Sequence, residues 1–105
     1  RDFTYVDDIA DGIVKALEKN LSWAILNLGR GAPEPLMHMI KLIENAVGKT
    51  IEKRFLDMQP GDVKQTWADV SLAKQLLDWE PKISLDEGIK KFVHWYTGYY
   101  SSRAL

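Results

Sequence analysis

The sequence predicts a small α/β domain with a few strands, about four helices and no complete doubly wound sheet; the strands are few for an independent sheet, and some are of a kind to join a sheet outside this chain. Three observations carry that expectation. Short runs rich in β-formers alternate with stretches of helical apolar spacing. Gly and Pro punctuate the joins between them. The 105 residues are 46% hydrophobic and 28% charged, which suits one folded domain of ordinary globular composition.

Taken in order, residues 3–6 (FTYV) read as a short strand. Asp7 or Asp8 then offers an N-cap for a helix carrying Ile9, Ala10, Ile13, Val14 and Leu17 at helical spacing. Gly12 sits inside that helix at a cost of about 1 kcal/mol relative to Ala, which a close packing contact would explain. Residues 22–28 (SWAILNL) read as a largely buried strand and residues 29–35 (GRGAPEP) as a loop. A second helix spans residues 36–47, with Gly48 placed as its left-handed C-terminal residue. Residues 51–58 alternate imperfectly as a third strand, and Gln59-Pro60-Gly61-Asp62 is a turn by its Pro-Gly pair. Residues 63–68 fit an extended segment. Asp69 or Ser71 starts a short helix through Leu77, and residues 79–82 break the chain. Ser84 and Glu87 form an S-x-x-E capping box ahead of a helix whose stripe is Leu85, Ile89, Phe92, Val93, Tyr96 and Tyr99/Tyr100. The tail, residues 101–105, is expected to fray.

Charge and composition narrow the function. With 14 basic and 15 acidic residues the net charge is −1, and no basic block marks a nucleic-acid or anionic-membrane footprint. No apolar run reaches the roughly 20 residues of a membrane span. The absence of cysteine removes disulfides, thiolate nucleophiles and Cys-based zinc sites. A cysteine-free, slightly acidic chain suits the cytoplasm. The chain starts at Arg1 and runs directly into strand-like sequence, which reads as a cut from something longer; a trimmed small protein is the alternative.

Several tempting motifs have plainer readings. Gly29-Arg30-Gly31-Ala32-Pro33-Glu34 lies between a strand and a helix as a dinucleotide loop would, but Glu34 stands where the third glycine belongs. Pro33 and Pro35 also remove amides from the helix start where an anion would bind. His38 and His94 lie on different helices without triad or metal-ligand spacing, and read as helix-surface residues. Phe92, Trp95, Tyr96, Tyr99 and Tyr100 read as a core-facing stripe, part of which covers a surface packed on a partner. Asp7, Asp8 and Asp11 lack an EF-hand pattern and suit helix capping and the helix dipole.

Four segments taken together carry a resemblance. Residues 1–12 (RDFTYVDDIADG), Leu26-Asn27-Leu28-Gly29, residues 59–81 (QPGDVKQTWADVSLAKQLLDWEP) and Leu85-Asp86-Glu87-Gly88-Ile89 resemble, in order, the C-terminal third of nucleotide-sugar epimerases and dehydratases. These are extended short-chain dehydrogenase/reductases, and the Gln-Pro-Gly-Asp-Val form is most similar to the UDP-glucuronate and UDP-galacturonate 4-epimerases.

The resemblance implies a C-terminal substrate-binding domain, residues 1–105, which holds a UDP-sugar against a missing N-terminal dinucleotide-binding domain. It implies that Arg1 contacts the diphosphate, a job suited to a planar guanidinium fork. It places Asp62 in the nucleotide pocket, accepting from a ribose hydroxyl or orienting Arg1. Gln59 stands where many galactose-type epimerases carry a second phosphate-binding Arg, and can donate a hydrogen bond without charge. No Tyr-x-x-x-Lys pair is present, and NAD in such enzymes is held by the other part. The isolated chain is therefore expected to be inactive and to hold no cofactor of its own. The alternatives are a structural fragment that self-associates without ligand, or the same domain from a dehydratase or reductase. Arg1, at the extreme N-terminus, is expected to be mobile.

Overall fold

A computed structural model of the chain describes residues 1–101; the rest of the expected fraying tail lies outside the described residues. The elements are α1 (Val6–Glu18), α2 (Leu36–Val47), α3 (Ser71–Leu77) and α4 (Leu85–Ser101). Ser101, the first residue of that tail, closes α4.

The four helices fall where the apolar periodicity puts them, but the expected strands do not form. Among the described residues there is no β-ladder, and Val6 opens α1 instead of ending a strand. A run of β-formers states a preference for extended backbone and needs a neighbour before it becomes a strand. The expected strands at residues 3–6, 22–28 and 51–58 have no strand among the described residues to pair with, and the loop at residues 30–32 is held by side chains: Thr4 Oγ1 accepts from Arg30 N–H at 3.0 Å, and the Asp2 carboxylate accepts from Gly31, Ala32 and Ala68. The architecture within this chain is helical, with irregular segments between the helices.

The helix ends show which local signals decide structure. α2 stops at Gly48, whose φ of 73° is the left-handed conformation that a Cβ would disfavour. Glu87 N–H donates to Ser84 Oγ at 3.2 Å, one half of the expected capping box. α1 departs from expectation. Its N-cap is Tyr5, with no side-chain capping bond, and Asp7 and Asp8 lie inside the first turn. Asp8 reaches across the molecule instead, where its buried carboxylate accepts from the amides of Lys82 (3.1 Å) and Ile83 (3.0 Å).

Two helix pairs organise the molecule, α1 with α3 and α2 with α4. Between the first pair sits a core of Ala73, Leu77 and Trp79, against which Ala16, Leu26, Leu28 and Val70 pack. Trp79 is fully buried, and its Nε1–H donates to the Asp8 carbonyl at 2.9 Å. Gly12 is explained here: a Cβ at that position would lie 2.7 Å from Leu28 Cδ1 and 3.2 Å from Trp79 Nε1. The second pair buries Leu85 and Ile89. Glu44 ties α2 to the following segment, accepting from Ile51 N–H (3.1 Å) and Lys53 Nζ (2.7 Å). The Lys53 hydrogen bond, then the Ile51 amide, hold its carboxyl below the ordinary 4.5.

This core is small for the chain. The accessible surface is 8192 Å², where a compact monomer of this mass exposes about 6000 Å². Leu17 (81%), Trp23 (80%) and Phe55 (79%) are exposed, as are Val6, Ile13 and Val14 along α1. The aromatic stripe of α4 is not core either. Phe92, Trp95 and Tyr96 are about half exposed and touch one another ring to ring. Phe92 and Tyr96 also line a 450 Å³ apolar cavity with Tyr5, Met39, Ile43 and Ile89, so this face of the α2–α4 pair is open rather than filled.

Candidate functional site

The Pro60-Gly61 turn has the form its sequence asks for. Asp62 N–H donates to the Gln59 carbonyl at 3.1 Å, and Gly61 takes a φ of 83°, a conformation that glycine reaches without steric cost. Asp62 emerges from the turn with its Oδ1 accepting from Val63 N–H at 2.9 Å.

The same Oδ1 also meets Arg1, 61 residues away in the chain: Arg1 Nη2 donates to it as an ion pair. Two of the three residues singled out from the sequence, Arg1 and Asp62, are thus in direct contact. Gln59 joins them through the backbone of the turn, with its side chain exposed. Arg1 is not the free terminus expected of a first residue. Its carbonyl accepts from Glu34 N–H at 2.9 Å, and its own nitrogen donates to the Glu34 carbonyl at 3.0 Å. Its Nη1 is buried and has no hydrogen-bond partner.

Asp2 is the residue that sequence reasoning passed over. Its Oδ2 accepts from Gly31 N–H (2.9 Å) and Ala68 N–H (2.8 Å), and its Oδ1 from Ala32 N–H (3.3 Å). A Cβ on Gly29 would lie 2.7 Å from Ala68 Cβ and 3.2 Å from Asp2 Oδ2, so the three segments meet closely at this point. The available signal was the pairing of an acidic residue next to Arg1 with a glycine-rich loop whose amides needed an acceptor.

That arrangement settles the loop at residues 29–34. The Gly31 and Ala32 amides, which would have to face a pyrophosphate, face Asp2. Arg30 Nη2 donates to Glu34 Oε1 (2.7 Å) and to the Ala32 carbonyl (2.9 Å), while its Nε is buried without a partner. The residues present do not fit a dinucleotide here. His38 is half exposed, with Nε2 4.0 Å from Glu34 Oε2, and His94 is exposed on α4. Among the described residues no group of His, Asp and Glu is arranged to hold a metal ion, and no helix is long and apolar enough to cross a membrane.

Comparison with known proteins gives these features a frame. Residues 1–92 match the family model of GDP-mannose 4,6 dehydratase. The UDP-glucuronate 4-epimerase of Thermodesulfobacterium geofontis is 48% identical over 96 residues, covering 90% of this chain and 29% of the relative. A protein of Methanocaldococcus jannaschii is 46% identical over 96 residues, covering 91% and 29%. The crystal structure of UDP-glucuronic acid 4-epimerase from Bacillus cereus, in complex with UDP-glucuronic acid and NAD, superposes with a TM-score of 0.86 at 37% identity, covering 95% of this chain and 32% of that one. The chain spans about a third of the length of the relatives it matches. It belongs to the GDP-mannose 4,6 dehydratase family, and what it contains resembles the C-terminal part of the UDP-glucuronate 4-epimerases.

Proposed function

We propose that this chain is the UDP-sugar-binding portion of an NAD-dependent nucleotide-sugar 4-epimerase, a single C-terminal substrate-binding domain over residues 1–105. The observation that carries this reading is the meeting of Arg1 with Asp62 at the Pro-Gly turn, across 61 residues of sequence. Arg1 is the diphosphate contact. One arm of its fork rests on Asp62 in a pair whose side chains are both part-exposed, and a planar guanidinium so held suits pairing with phosphate oxygens. Asp62 accepts from a ribose hydroxyl or holds Arg1 in place, and Gln59 adds a neutral donor at the same turn. The Bacillus cereus relative solved with UDP-glucuronic acid supports the substrate class.

The chain's share of the chemistry is to bind and orient. Hydride transfer at the sugar belongs to NAD, for which the residues here offer no cradle, and to catalytic groups these residues do not supply. Positioning of this kind contributes several kcal/mol of barrier lowering in a whole enzyme. The partner that completes the site is the dinucleotide-binding domain. The exposed apolar face of α1 (Val6, Ile13, Val14, Leu17) and the excess surface of the chain support such a partner.

With one half of the pocket in hand, the affinity of the chain for UDP is expected near 1 mM, about −4 kcal/mol. Phosphorus NMR of UDP titrated with the chain tests this. The diphosphate signals should shift with wild type and lose that response with Arg1→Ala. Equal response to both proteins would remove Arg1 from the site and the reading with it. A reading as a ligand-free self-associating fragment predicts no response and concentration-dependent size in solution.

A further inference from the structure

We infer that Asp2 is the positioning residue of this half-site: its carboxylate fixes the backbone beside it so that Arg1 meets the Pro-Gly turn. The inference rests on the reading of Arg1 as the diphosphate contact and goes beyond it. Successive side chains of an extended segment point to opposite sides. Here Arg1 pairs with Asp62, while the Asp2 carboxylate takes backbone amides from Gly31 and Ala68.

On its own side Asp2 joins segments far apart in sequence. The carboxylate gathers the amides of Gly31 and Ala32 from one loop and of Ala68 from the segment that descends from the turn. Asp2 N–H adds a long contact to Thr66 Oγ1 at 3.5 Å. Residues 66–68 lie only a few positions after Asp62, so the anchor that holds Arg1 also holds the stretch of chain leading back to the turn. An ionised carboxylate suits this place because it only accepts, and its oxygens can take several amides together. An asparagine retains one such oxygen. Its amide nitrogen would face a backbone N–H, donor against donor.

The test uses the isotope-labelled chain as wild type and Asp2→Asn, first without ligand. The Arg1 side-chain Nε–H signal and the Asp62 and Val63 amides should move in the variant, while Met39 and Ile89 in the α2–α4 pair stay in place. UDP and uridine are then titrated into both proteins. The expected result is a loss of about tenfold for UDP with uridine unchanged, the size of one charge-assisted contact misplaced. Unmoved Arg1, Asp62 and Val63 signals would overturn the inference, as would equal weakening of UDP and uridine. A wild-type chain that ignores UDP contradicts the functional reading alone, and the ligand-free signals still decide whether Asp2 positions Arg1. Should Asp2→Asn fail to fold, Asp2→Glu keeps the charge and both oxygens with a longer reach. It is expected to move the same signals by less, and no movement in that variant would count against the inference.

Discussion

Two glycine-containing loops of this chain invite opposite conclusions in sequence and exchange them in structure. The loop at residues 29–34 has the outline of a dinucleotide-binding loop, yet its amides face Asp2 and its arginine faces Glu34. The turn at residues 59–62 reads physically as a mere reversal, yet it delivers Asp62 to Arg1 in a pair whose side chains are both part-exposed. Glycines at a join say only that the backbone bends. What makes a bend able to bind is whether its charged groups stay accessible or are drawn into holding the chain together.

The largest test of this contrast is Asp2→Ala. It leaves three amides of the first loop and its neighbour without their acceptor, and a loss of about 3 kcal/mol is expected in urea unfolding. A loss below about 1 kcal/mol would mean that the loop does not depend on Asp2. Next comes Arg30→Ala, which removes the bonds to Glu34 and the Ala32 carbonyl. A cost of about 1–2 kcal/mol is expected, with UDP affinity unchanged. Asp62→Ala should do the reverse. Its ion pair is formed between half-exposed side chains, so stability should change by less than about 1 kcal/mol while UDP binding weakens.

The smallest effect is expected with pH, and away from both loops. The Glu44 carboxyl is held below its ordinary 4.5 by Lys53 and the Ile51 amide. A depressed carboxyl contributes stability that is present above the unfolded value and is lost as pH falls through the folded one. The Ile51 amide should therefore lose protection from hydrogen exchange below pH 4.5 before the Asp78 amide, which donates to a carbonyl at the end of α3, does. Simultaneous loss at both places would show that the two regions unfold as one unit.

The helices were legible because apolar spacing and end signals are local. Gly48, the Ser84–Glu87 pair and the Leu36–Val47 stripe each act within one or two turns. Strands were over-read because a run such as residues 3–6 states a preference for extended backbone and not the presence of a neighbour to pair with. The buried role of Trp79 was missed for a related reason: it follows a helix inside a segment that reads as a break, and only the α1 carbonyl it reaches makes it core. At the site, Arg1 and Asp62 came from resemblance, since no local pattern connects residues 61 positions apart. Asp2 and Asp8 escaped as anchors because a carboxylate that binds remote amides looks, in sequence, the same as one that caps a helix.

The measurement closest to the central claim is an amide-resolved titration of the labelled chain with UDP, following both loops in one spectrum. The account predicts shifts at Gln59, Gly61, Asp62 and Val63 and at Asp2 beside Arg1, with Gly29 and Arg30 responding little. Shifts confined to residues 29–34, with the Pro-Gly turn silent, would contradict it.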